Sequence, residues 1–135
     1  MSAQFKLSTM DPAFFHEMLK EELLVELRLR GYDVVAVSNS TQYAAPKLIG
    51  GCLPDIMANN SEEELCLGEA KTSEDIDSDM SMNEYVAFAR EAKELHLIIP
   101  SSEREALQET LNVLNLGVQD TCQIVIWGSS IFPFD

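Results

Sequence analysis

The chain has 135 residues, enough for one domain, and 46% of them are hydrophobic, as in proteins that bury a real core. Nine Lys+Arg stand against 23 Asp+Glu, giving a formal net charge of −14 and a pI near 4.3. This excludes a protein that holds nucleic acid or an anionic membrane by bulk charge, because phosphate affinity comes largely from counterions released by clustered cations; a local basic groove remains open.

Residues 1–10 read as a loose lead-in or short edge segment. They contain no apolar stretch of secretory type, so no signal peptide is expected, and no run approaches the ~18 apolar residues of a membrane span. Asp11 to Arg30 predicts the first helix. Asp11 is placed to cap it, Pro12 suits the first helical position, and Phe15, Leu19, Leu23 and Leu27 recur every four residues. Arg28 and Arg30 favour the helix C-terminus, and Gly31 ends it. Tyr32–Val37 predicts a strand and residues 38–50 an irregular loop. A second strand is expected within Gly50–Ala58, a turn at Asn59-Asn60-Ser61, and a third strand over Glu64–Lys71, the last two strands forming a hairpin.

Residues 72–81 predict an acidic loop, and Asn83–Leu95 a second helix with Tyr85 or Val86, Ala89 and Ala92 inward. Leu95–Ile99 predicts a fourth strand. Ser101 or Ser102 is expected to cap a third helix, Glu103 to about Leu116, with Glu105 completing a capping box if Ser102 is the cap, and Gly117 stopping it. Cys122–Trp127 predicts the last strand, followed by an apolar tail, Ile131–Phe134. The order α-β-β-β-α-β-α-β implies a mixed sheet sandwiched by helices. Residues 1–135 are therefore read as one domain.

Cys52, Cys66 and Cys122 form no CxxC pair, and His16 and His96 complete no zinc pattern. They predict free cysteines in a reducing, cytoplasmic protein. His16 is expected at the surface, His96 at a sheet margin and Trp127 in the core. Asp75, Asp77 and Asp79 imitate the start of a calcium loop, but Val86 stands where the twelfth-position Glu belongs.

Alternation along the third strand places Leu65, Leu67, Glu69 and Lys71 on one face and Cys66, Gly68 and Ala70 on the other. The small face suits a closely packed helix. The larger face ends in a carboxylate and an ammonium about 7 Å apart along the strand. In the hairpin, Asp55 lies opposite or diagonal to Glu69. Two such carboxylates repel unless a proton or cation sits between them, and Mg²⁺ favours this kind of oxygen ligand. Lys71 beside them is placed to orient or deprotonate a water or to stabilise charge on a phosphate. The plain alternative is a solvated edge pair of Glu69 and Lys71, worth under about 1 kcal/mol.

Pro54-Asp55, thirteen intervening residues and then Glu69-Ala70-Lys71 resemble the PD-(D/E)XK signature of the restriction-endonuclease-like nuclease superfamily. The element order over residues 11–99 is similar to that superfamily's common core. The resemblance implies a three-layer α/β sandwich and a Mg²⁺- or Mn²⁺-dependent nuclease that hydrolyses phosphodiester bonds in DNA through a metal-activated water. It implies that Asp55, Glu69 and the backbone carbonyl of Ala70 bind the metal and that Lys71 positions the water. It also implies a glutamate from the first helix; Glu22 is favoured, with Glu26 close behind. A Gln–Tyr pair that opens the next helix in some members is replaced here by Met82-Asn83-Glu84-Tyr85.

Between Glu62 and Glu84 nine acids face one base, Lys71. A polyanion is repelled by such a region at low salt. Arg28, Arg30, Lys47, Arg90, Lys93 and Arg104 remain as phosphate contacts. A protein partner that supplies the DNA contacts would offset the charge, and a homodimer is also open. The alternative is a catalytically inactive nuclease-fold protein that binds a partner protein through its acidic surface. No membrane partner is expected.

Overall fold

A computed structural model describes residues 11–117 and 121–130; the expectations for residues 1–10 and for the tail Ile131–Phe134 lie outside the described residues. The first helix, α1, spans Pro12–Leu29, and the Asp11 carboxylate caps it by accepting from the Ala13 N–H at 3.1 Å. Its stripe buries Phe15, Leu19, Leu23, Leu24 and Leu27. Gly31 follows with φ +89°, a backbone that glycine adopts without strain.

Five strands form one sheet in the order β1 (Asp33–Val37), β2 (Ile56–Asn59), β3 (Leu65–Ala70), β4 (Glu94–Pro100), β5 (Gln123–Ser129). β1–β2 and β2–β3 pair antiparallel, and β3–β4 and β4–β5 parallel. The fold is thus α/β with a mixed sheet, as the element order implied. β2 is shorter than expected, because Gly50 and Gly51 take positive φ in a tight turn closed between Ile49 and Cys52.

The helix α2 spans Asp79–Glu91, four residues earlier at each end than the sequence indicated. Ser78 caps it by accepting from the Ser81 N–H at 3.1 Å, and Asp79 suits the positive end of the helix dipole. Part of the acidic stretch is therefore helical. The expected capping box of the third helix does not form. Ser101–Glu103 make a 3-10 turn, the Ser101 hydroxyl donates to Ser129 O at 2.6 Å, and α3 runs Arg104–Val113. Asn115, with φ +60°, takes the left-handed turn expected at Gly117.

Helices cover both faces. α1 packs with Val37, Ile56, Ala70 and Ile98. Tyr85, Phe88 and Ala89 of α2 and Leu107 and Leu111 of α3 pack with Leu67, Leu95, Leu97 and Ile99 on the other side. Gly68 permits the close approach of α1: a Cβ there meets Leu23 Cδ2 at 3.1 Å and Ile56 Cβ at 3.2 Å. The small face of β3 thus lies under α1, as alternation predicted. Among the described residues, no helix is long and apolar enough to cross a membrane. Cys52, Cys66 and Cys122 are free, with Cys66 and Cys122 buried.

Candidate functional site

β2 runs against β3, with Ile56 opposite Gly68. Asp55, just before β2, therefore meets the end of β3, where Glu69, Ala70 and Lys71 lie. Because β3, β4 and β5 are parallel, this edge is also the carboxyl end of three strands, where open α/β sheets commonly bind ligands.

The two carboxylates interlock. The Asp55 N–H donates to Glu69 Oε1 at 2.7 Å, and the Ala70 N–H donates to Asp55 Oδ2 at 2.9 Å. Lys71 Nζ lies 3.4 Å from Glu69 Oε2 and 2.5 Å from Glu84 Oε1. Asp55, Glu69, Ala70 and Lys71 are thus brought together as the sequence suggested. Lys71 is not a solvated edge residue: its side chain is 8% exposed and that of Glu69 3%.

Two further side chains join the cluster. His16 Nε2 lies 3.0 Å from Asp55 Oδ2. Glu84 holds Lys71, whose ammonium also sits 5.7 Å from the centre of the Tyr85 ring. His16 is therefore a site residue rather than a plain surface residue. Glu84-Tyr85 stands near the end of β3, and the Glu84 carboxylate accepts from the lysine directly.

Glu22 has other partners. Its carboxylate accepts from the Ser129 hydroxyl at 2.6 Å, the Ser130 N–H at 2.9 Å and the Ser130 hydroxyl at 3.1 Å. It ties α1 to the end of β5, and the α1 side chain that meets the Asp55 carboxylate is His16, six residues earlier. Glu26 faces Arg30 at 3.7 Å. His96 departs from its expected place at a sheet margin, whereas Trp127 packs, partly buried, against the core under α1. His96 is buried, with Nε2 2.8 Å from Glu94 Oε1, and Nδ1 accepts from Trp127 Nε1 at 3.0 Å; Trp127 is half-buried beneath the Arg30 guanidinium.

Burial pushes the Glu69 carboxyl well above its usual range; the Asp55 charge adds to this and Lys71 opposes it. Burial alone would lower Lys71, but the Glu69 charge and the Glu84 hydrogen bond outweigh it and the ammonium is raised. Lys71 is accordingly a cationic hydrogen-bond donor near neutral pH, not a base. The hydrogen bond to Asp55 raises His16 against the cost of its burial.

A cleft of about 890 Å³ opens onto Asp55, with His16, Glu17, Asn39, Leu53 and Asp75 in its walls. No Lys or Arg stands among its described lining residues. Among the described residues, no group of three or more His, Cys, Asp or Glu side chains is arranged to hold a metal. The donor chemistry nonetheless fits a hard cation: two adjacent carboxylates, one driven toward protonation by its burial and, after that, by the other's charge, have an electrostatic need that a divalent ion meets. Such an ion would share oxygens that now accept from Asp55 N, Ala70 N and His16. Comparison with family models, curated proteins and solved structures returns no match.

Proposed function

We propose that this chain is a metal-dependent nuclease of the PD-(D/E)XK type, with a restriction-endonuclease-like fold, that hydrolyses phosphodiester bonds in DNA. The observation that supports this best is the convergence of Asp55, Glu69 and Lys71 within hydrogen-bond reach at the carboxyl edge of a mixed sheet. The three-layer arrangement with α1 over the small face of β3 is consistent with it.

In this reading Asp55, Glu69 and the Ala70 carbonyl hold Mg²⁺ or Mn²⁺, which when bound supplies Lewis-acid polarisation of the scissile phosphate. Lys71 donates a hydrogen bond that orients the attacking water and stabilises charge growing on the phosphoryl oxygens. Glu84 holds the ammonium and His16 fixes the Asp55 carboxylate. The water oxygen would form the new bond to phosphorus as the bond to a sugar oxygen breaks, the attacking water's proton passing to bulk water and the leaving oxygen taking one back from it.

The test is incubation with single-stranded, duplex and branched DNA in Mg²⁺ or Mn²⁺. Cleavage is expected from the wild type and not from Asp55→Ala or Lys71→Ala. Wild-type cutting no greater than that of the two variants contradicts the reading.

The acidic cleft favours a second reading, a nuclease-fold protein without activity that binds a basic partner protein through its acidic surface. It predicts no heat on Mn²⁺ titration. A tight Mn²⁺ site that Glu69→Ala abolishes decides against it.

A further inference from the structure

Lys20 is one of the largest side chains that the fold buries outright. Its ammonium donates to Ser38 O at 2.6 Å and lies 2.6 Å from Glu17 Oε2. A buried charge is costly unless it is paired, and Glu17 is its only ion-pair partner among the described residues. The two partners are unequally placed. The Lys20 side chain is 2% exposed and cannot swing out, whereas that of Glu17 is 40% exposed and stands in the wall of the cleft over Asp55. Asn39, just past β1 and also in that wall, donates through Nδ2 to the other carboxylate oxygen, Glu17 Oε1, at 3.4 Å. The Glu17 carboxylate therefore sits in a cradle of two donors, one a fixed cation. His16 links the cradle to the candidate site: Nε2 is 3.0 Å from Asp55 Oδ2 and Nδ1 4.0 Å from Glu17 Oε1. One imidazole ring thus separates the two carboxylates, a spacing on the scale of neighbouring phosphates along a strand.

We propose that the Lys20–Asn39 cradle is a phosphate-binding subsite for a DNA strand, and that Glu17 fills it until a phosphate of the strand takes its place. A phosphodiester presents two oxygens that share one negative charge, as a carboxylate does, so it can accept from the same ammonium and amide. The exchange leaves no buried charge unpaired: Lys20 trades one anion for another. The released Glu17 carboxylate turns toward water at small cost, because it is already partly solvated. A cleft with no Lys or Arg among its described lining residues can then receive a polyanion, since its cation stands behind Glu17. Glu17 also becomes a gate, because an anion that cannot displace it meets only the acidic wall.

The choice of a phosphodiester rests on the nuclease reading, and the experiment is run in EDTA, without metal or turnover, so that the two fail separately. A labelled single-stranded hexadeoxynucleotide is titrated against the full chain by fluorescence anisotropy. Glu17→Ala is expected to bind it at least about tenfold tighter than Glu21→Ala, which removes the same charge from an exposed position of α1 outside the cradle. Adding Lys20→Met to Glu17→Ala is expected to abolish the gain. Adding Asn39→Gly is expected to reduce it at least about threefold, glycine keeping the left-handed backbone that Asn39 holds at φ +53°. Circular dichroism confirms that each variant is folded, and the Asn39 variant decides if Lys20→Met does not fold. Affinity of Glu17→Ala no greater than that of Glu21→Ala overturns the proposal, as does a gain that survives the second substitution. Displacement of the strand by an equal concentration of inorganic phosphate overturns the strand as ligand. A chain that shows the gain and cuts no DNA with Mg²⁺ or Mn²⁺ faults the nuclease reading alone.

Discussion

Replacing Lys71 with Met should reveal how much of the fold depends on neutralising the acidic cluster. The ammonium is 3.4 Å from Glu69 and 2.5 Å from Glu84, and the three side chains are only 8%, 3% and 12% exposed. Solvent screening is therefore weak, and removing one partner of a buried ion pair costs about 3–5 kcal/mol. For a chain of this size 1 kcal/mol moves Tm by roughly 3–5 °C, so a fall of about 10–20 °C is expected at pH 8. The sign of the pH effect follows from Glu69. Its folded pKa lies above the unfolded value near 4.5, so its stabilising effect is complete below about 4.5 and is lost as pH rises through the folded pKa. Deleting Lys71 sharpens that loss, so the deficit should shrink at pH 5. Lys71→Met with Glu69→Gln should recover about half of it, since one unpaired buried charge is removed. Thermal and urea unfolding followed by circular dichroism measure all of this. A deficit below about 1 kcal/mol at pH 8, unchanged at pH 5, would refute the reasoning and return the pair to the energetics of a surface ion pair.

Gly68→Ala forces a methyl against Leu23 and Ile56 and should cost about 1–3 kcal/mol in urea unfolding; a neutral result would mean that α1 gives way freely. Glu22→Ala should loosen the end of β5, seen as faster amide exchange near Ser129 and Ser130, and leave Mn²⁺ affinity unchanged; a tenfold loss of affinity would restore Glu22 to the site. The two histidines should act in opposite senses on Tm between pH 8 and 5. The His16 pKa is raised, so its contribution is present below about 6.5 and lost as pH rises through the folded value; burial lowers His96, so its contribution is present above about 6.5 and lost as pH falls through the folded value. Acidification should therefore cost His16→Gln more stability than wild type and His96→Gln less, and parallel profiles would contradict both assignments.

Much of the fold was legible because each signal was local. Asp11-Pro12 marked the start of α1, its four-residue apolar spacing marked the buried stripe, and alternation in Leu65–Lys71 assigned the faces of β3. That alternation also placed Glu69 and Lys71 together, and the short hairpin brought Asp55 to them. What was missed depended on long-range placement. Helical spacing sets His16 on the same side of α1 as Leu19, Leu23 and Leu27, but does not show that the loop before β2 passes beside it. The start of α2 was obscured because Asp75, Asp77 and Asp79 read as a loop, although Ser78 had the chemistry of a cap. With the start misplaced, Glu84 could not be set against Lys71. Ser101 offered a plausible cap, but its hydroxyl serves the neighbouring strand instead, a choice that only the parallel pairing of β4 and β5 makes available.

The measurement closest to the proposed chemistry is a crystal soaked in Mn²⁺ and examined by anomalous scattering. The nuclease reading predicts a peak bonded to carboxylate oxygens of both Asp55 and Glu69, beside Lys71. A saturated crystal with no peak between those two carboxylates, or with Mn²⁺ only at other carboxylates, would contradict it.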